Sequence, residues 1–229
     1  MYGFWTREHS DAYFGPEQVS VAEYFTFTGV SEEGKSITAK LLGFRILDNV
    51  QLSLYAAITT TETPASEEGE ALEASREGNL ENFIQAGGNA TLTAEVPLVA
   101  YMPKRSKEAQ LQDVLSLSFV PALNLEVAPL GSATENGVRV GQAGLRFFGQ
   151  KAALDSGDIA VFGDVWLGGL WGTADFFGAI GQPGRKSALY GKATLGLALL
   201  KKVRLNLTKV VLGPEQMRSP WIVSLAVSP

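Results

Sequence analysis

The chain has 229 residues, 45% hydrophobic and 19% charged, with 25 glycines and a formal net charge of −5. That apolar share excludes a disordered chain, and the acidic balance argues against nucleic acid as a partner, because phosphate binding needs clustered positive charge. With no cysteine and a single histidine, neither a disulfide framework nor a thiolate or His-rich metal site is available.

Residues 1–18 carry Tyr2, Phe4, Trp5, Tyr13 and Phe14 without a clear period, and Gly15-Pro16 separates them from the rest of the chain. They read as an N-terminal arm, loosely structured or forming one extra strand; residues 19–229 read as a single β-domain. The opening MYGFWTREHSDAYFG has neither the basic nor the apolar region of a signal peptide. The expectation is therefore a cytosolic protein or a mature form with an added Met.

From Val19 onward the apolar residues recur with a period of two, the signature of strands. Strands are predicted over Val19–Val30, Ser36–Leu47 and Val50–Thr60, with Asp48-Asn49 as a tight turn between the last two. The polar insertion 61–81 carries seven glutamates against Arg76 and accounts for the negative net charge; its middle suits a short helix, weakened by Gly69 and Gly78. Further strands are predicted over Phe83–Met102, Val114–Ala128, Gly137–Phe148 and Asp158–Trp171. In the Gly137–Phe148 strand Arg139 and Arg146 have opposite parity, and a bulge at Gly141 or Gly144 would reconcile them. A Gly- and aromatic-rich loop spans 172–187. Ala188–Gly213 then reads as a hairpin turning at Lys201-Lys202, and Trp221–Val227 comes after the connection GPEQMRSP. No run is long enough for a membrane helix, whereas a barrel strand needs only about 9–11 residues.

The hairpin shows the character of the whole. Leu189, Leu195, Leu197 and Leu199 share one face; Lys192, Thr194, Gly196 and Ala198 share the other. That second face is small or weakly polar, with about one charge per strand. Across the chain the recurring strand charges are Glu23, Lys40, Glu95, Glu126, Asp164, Lys192 and Arg204. All but Glu23, which has the parity of Phe25 and Phe27, fall mostly on the non-leucine face. They are the candidate lumen and solute-binding residues. On the opposite reading they are solvated residues on the outside of a soluble sheet.

Other constellations carry less. GQPGRKS at 181–187 lacks the spacing of a phosphate loop and reads as a turn. His9, Ser10 and Asp11 are adjacent in the arm, but a catalytic triad requires convergence in space. No catalytic residue, metal site or cofactor is therefore expected, and the chain reads as a non-enzyme. Trp166, Trp171, Phe176, Phe177, Tyr190 and Trp221 near predicted strand ends suit either aromatic girdles or core packing.

Ten predicted strands, short joins on one side and long joins on the other make residues 19–228 resemble bacterial outer-membrane β-barrels, at the level of architecture. The resemblance implies an all-β fold: a single antiparallel up-and-down barrel of about ten strands spanning the outer membrane. It implies the lipid bilayer as partner and a narrow channel, or a structural or binding barrel, for a small polar solute. Eight strands are just filled by their side chains, so ten leave a narrow interior. The alternative is a soluble or secreted β-sandwich or jelly roll that binds or self-assembles. Pro97 and Pro121 fall inside predicted strands and need either bulges or the free edges of a sandwich.

Overall fold

The computed structural model describes residues 13–14, 20–28, 35–46, 49–60, 80, 83–84, 90–103, 111, 113–127, 138–153, 157–200, 202–218 and 221–227. Ten strands succeed one another in chain order: β1 (Ser20–Thr28), β2 (Lys35–Ile46), β3 (Val50–Thr60), β4 (Ala90–Tyr101), β5 (Val114–Val127), β6 (Val138–Ala152), β7 (Ile159–Gly172), β8 (Ser187–Leu199), β9 (Val203–Leu212) and β10 (Trp221–Val227). Each pairs antiparallel with its sequence neighbours, and β1 pairs with β10 to close an up-and-down barrel. This closure replaces the sandwich and jelly-roll alternative: a closed sheet has no edge strand.

The predicted boundaries differ materially at two strands. β4 begins at Ala90 rather than Phe83, and β6 runs on to Ala152. Phe83 and Ile84 adopt a helical conformation instead of strand, and both side chains are buried. The predicted insertion helix, the His9-Ser10-Asp11 run and most of the arm lie outside the described residues.

The prolines are accommodated by local gaps in one seam. Pairing of β3 with β4 stops at Gln51↔Glu95, so Pro97 lies beyond it. On its other side the β4–β5 register shifts between Pro97 and Val99, which makes Leu98 a bulged residue. Pro121 pairs with Ala143 of β6, while the β4–β5 ladder steps over it between Phe119↔Val96 and Ala122↔Thr93. A missing N–H is harmless where no ladder bond is asked of it.

The bulge expected at Gly141 or Gly144 is not there. Pairing runs unbroken through both glycines on the β5 and β7 sides, and the extra residue sits in β5 between Asn124 and Val127. Gly144 pairs with Gly168 for a different reason. A Cβ at Gly168 would strike the backbone of Ala143, and one at Gly144 would meet the Leu167 carbonyl and the Trp166 ring. Glycine here lets the Trp166 indole lie against the β6–β7 backbone.

Connections alternate between the two ends. At one end short connections at 47–49 and 200–202 join β2 to β3 and β8 to β9, with Leu200 in the left-handed region at φ 51°. At the other end lie the long insertion between β3 and β4, helix α1 (Ala174–Ala179) and the short helix α2 (Glu215–Arg218). Thr173 caps α1: its hydroxyl accepts from the Phe176 amide at 3.3 Å. The cap turns Phe176 and Phe177 inward, where both are fully buried. In the 181–187 loop, Gly181 and Gly184 take φ 74° and 80°, so the segment is a glycine turn, as read from the sequence.

The two faces of the strands differ sharply. Outward side chains are large and apolar on every strand, half-buried at Val50, Leu52 and Leu54 of β3 and exposed on the other nine; Leu189 is 69% exposed, Leu195 63% and Leu115 59%. Many inward side chains are small or polar, with Ser118, Asn124, Thr91, Ala160 and Ala198 fully buried, and larger apolar ones such as Phe162, Leu170 and Tyr190 join them toward the two ends. Among the strand residues whose side chains are described, the outward charges are Lys151 and Lys209. Lys151, near the end of β6, pairs with Asp113 at 2.8 Å. Lys209 lies over the Trp221 ring at 5.0 Å, at the start of β10.

Candidate functional site

The lumen is layered. At the long-loop end Phe83, Ile84, Phe176, Phe177, Ile180 and Met217 descend from the connections and pack against Val140, Leu170, Tyr190, Val210 and Ile222 of the barrel wall. Phe83 stacks against Phe176 at 5.1 Å between ring centroids, and Trp166 against Tyr190 at 5.4 Å. At the short-turn end a smaller apolar cluster holds Leu111, Phe162, Ala152, Ala160 and Ala198. Leu111 reaches in from the β4–β5 connection and its amide donates to the Gly157 carbonyl at 2.9 Å. Of the aromatics predicted near strand ends, Trp166, Phe176, Phe177 and Tyr190 are therefore lumen packing; Trp171 and Trp221 stay exposed on the outside.

Between the clusters lies a polar cavity of about 290 Å³. Its organising side chain is Arg146, in the middle of β6. Nε and Nη2 of Arg146 reach Asp164 Oδ2 of β7 at 2.9 and 2.7 Å, and Nη1 reaches Glu95 Oε2 of β4 at 3.0 Å. A planar guanidinium with several fixed donors suits two carboxylates at once. Arg146 also lies 5.3 Å from the Phe148 ring centroid.

The other oxygen of Glu95 is equally occupied. Oε1 accepts from the Ser118 hydroxyl at 3.0 Å and from Tyr13 Oη at 2.8 Å. Tyr13 Oη is also 3.0 Å from Ser116 Oγ; with its proton given to Glu95, the phenol oxygen accepts there. Tyr13 thus brings the N-terminal arm into the lumen, 82 residues from Glu95 in the chain. Burial, and then the negative charge of Glu95, push the Tyr13 phenol up to about 12. Its neighbour Phe14 lies under the Arg45 guanidinium at 5.7 Å.

On β8, next to β7, Lys192 donates from Nζ to the Ile84 carbonyl at 2.6 Å, tying the β3–β4 insertion to the barrel. Lys40 of β2 lines the cavity beside the hydroxyl-bearing Thr26, Thr38, Ser53, Tyr55 and Thr93. Thr38 Oγ1 is buried and has no hydrogen-bond partner among the described residues.

Of the predicted site residues, Lys40, Glu95, Asp164 and Lys192 converge on this one cavity. Arg204 points inward but sits nearer the short-turn end, 5.7 Å from the Phe162 ring, and is not part of the cavity wall. Glu23 and Glu126 belong to β1 and β5, but their side chains lie outside the described residues. Sequence reasoning missed Arg146, Tyr13 and Gln142. The parity of Arg146 matched that of Phe148 and Gln142, which was the available signal.

No protein-family model matches the chain, and a search of curated proteins finds no match. Its chemistry must be read from the barrel itself.

Proposed function

We propose that the protein is a membrane-spanning barrel of the bacterial outer-membrane type, acting as a binding barrel for a small polar solute and not as an enzyme. The observation that carries this reading is the outer face. Large apolar side chains such as Leu115, Phe147, Leu195 and Val211 are about half exposed or more, and exposed large apolar side chains occur on nine of the ten strands, with nothing among the described residues to cover them. Water-facing monomers keep contiguous apolar patches to a few hundred Å², whereas a lipid-facing barrel requires such a belt. The pairing of Lys209 with Trp221 near strand ends suits an interface at which an amphipathic side chain snorkels to the headgroups.

Binding is favoured over conduction by the layered interior. The cavity lies between two apolar clusters, one reinforced by Phe83 and Ile84 and the other by Leu111. Passage of a solute requires one of these layers to move. The first test is solubility: the chain should fold only with detergent or lipid, and a folded, monodisperse species in plain buffer refutes the membrane reading. In planar bilayers the full chain should show no steady conductance, and a stable open current would make it a channel.

A further inference from the structure

We propose that the lumen cavity binds a neutral, polyhydroxylated guest of monosaccharide size. This rests on the reading of the lumen as a solute site and adds the class of solute; it does not depend on the barrel lying in lipid.

The first ground is the hydroxyl wall. Strands β1 to β4 form one continuous arc of the barrel, and they line the cavity with Thr26, Thr38, Ser53, Tyr55 and Thr93. Each hydroxyl can both donate and accept, which is what the hydroxyls of a sugar ring require of a wall. Thr93 gives its proton to the Ser53 carbonyl at 3.3 Å, so its oxygen faces a guest as an acceptor. Thr38 makes the clearest demand. Its side chain belongs to a residue only 5% exposed, and Oγ1 has no hydrogen-bond partner among the described residues. Native structures almost always satisfy such a group, and a guest hydroxyl in the cavity would do so.

The second ground is the use made of the ionic groups. Arg146 places Nε, Nη1 and Nη2 on Asp164 and Glu95. Both Glu95 oxygens are occupied, Oε2 by Arg146 and Oε1 by Tyr13 and Ser118. Lys192 donates to the Ile84 carbonyl, and Lys40 too takes part in an interaction within the protein. The charges of the wall are thus engaged by the protein itself. A charged guest would have to displace one of these partners, since a charge buried without one is costly. Neutral hydroxyls need no counter-ion. The third ground is shape. About 290 Å³ is at the small end of ligand pockets and admits one ring-sized guest. Val120, Ala122 and Trp166 of β5 and β7 supply the apolar side against which the C–H face of a sugar ring can lie.

The test uses the purified full chain in detergent. Binding is measured by equilibrium dialysis with radiolabelled glucose, galactose, mannose and myo-inositol, against gluconate, glucosamine and sucrose as charged and oversized comparisons. At least one of the neutral ring-sized probes should bind saturably, at one site per chain, and raise the melting temperature in step with its occupancy. Gluconate and glucosamine should bind at least about tenfold more weakly, because each brings a charge that must displace a partner; sucrose should be excluded by size. Thr38→Val keeps the shape of the side chain, removes the hydroxyl and should weaken the bound sugar several-fold. Should that variant fail to fold, Ser53→Ala should do the same, and unchanged binding by the variant that folds overturns the assignment. A charged analogue or sucrose bound as tightly as the neutral probe overturns the class while leaving the lumen a solute site. No saturable binding of any probe overturns both. Detergent dependence is measured separately by sedimentation, so failure of the membrane reading and failure of the sugar site are distinguishable.

Discussion

The outer and inner faces belong to the same strands, yet they are built on opposite rules. Leu195 and Leu197 project outward from β8 and are 63% and 44% exposed; Thr194, one residue away, turns inward and hydrogen-bonds Thr208 at 2.9 Å. The outer face places large apolar side chains where the described residues offer them no cover. The inner face combines small and hydroxyl-bearing side chains, the charge cluster of Arg146 with Glu95 and Asp164, and an apolar cluster toward each end. A water-soluble barrel instead presents polar and charged side chains on its outer face. The contrast teaches that the surroundings, and not the barrel's own packing, must stabilise the outer face, while the lumen stabilises itself through specific polar contacts.

The largest effect expected from breaking the lumen side is at Arg146. Arg146→Met strands Glu95 and Asp164 without their shared cation and should cost about 3–5 kcal/mol, read by denaturant unfolding of the reconstituted barrel. Adding Glu95→Gln and Asp164→Asn should recover part of that loss. Breaking the outer side comes next: Leu195→Arg should cost about 2–4 kcal/mol in a bilayer. A cost near zero would mean that position 195 faces water.

The third prediction concerns the backbone between the two faces. Gly168→Ala places a methyl against the Ala143 carbonyl and should lose about 1–3 kcal/mol through overpacking, measured by the same unfolding assay. The smallest effect is at the arm. Tyr13→Phe removes the hydrogen bonds to Glu95 and Ser116 and should cost about 1–2 kcal/mol. Free of the lumen, the phenol ionises near 10; docked, near 12. The docked arm is thus fully favoured below pH 10 and loses ground as pH rises toward 12, because the released phenol gives up its proton first. A difference titration of tyrosinate absorbance between the native chain and Tyr13→Phe should show one phenol ionising near the higher value.

The strand pattern was legible because alternation is a local property. Leu115, Leu117 and Phe119 against Ser116 and Ser118 announce β5 without reference to anything distant. Phe83 and Ile84 were not: an apolar pair ahead of a strand looks like more strand, and only the assembled lumen shows it as packing for Phe176 and Met217. Arg146 was obscured because Arg139, on the opposite parity, made the phase of β6 ambiguous. Tyr13 carried no local signal, since its partners Glu95 and Ser116 lie 82 and 103 residues away. Lys40, Glu95, Asp164 and Lys192 were identifiable singly as sparse charges on a small-residue face. Their convergence depends on barrel closure, which a strand-by-strand reading does not contain.

The chain has no native cysteine, so single cysteines can be placed along β8 without removing any other, and spin labels there test the contrast most directly. In liposomes, labels at 195 and 197 should be accessible to oxygen and shielded from a water-soluble nickel complex. A label at 194 should be poorly accessible to both. Labels at 195 and 197 that meet the nickel complex freely would place the leucine face in water and contradict the account.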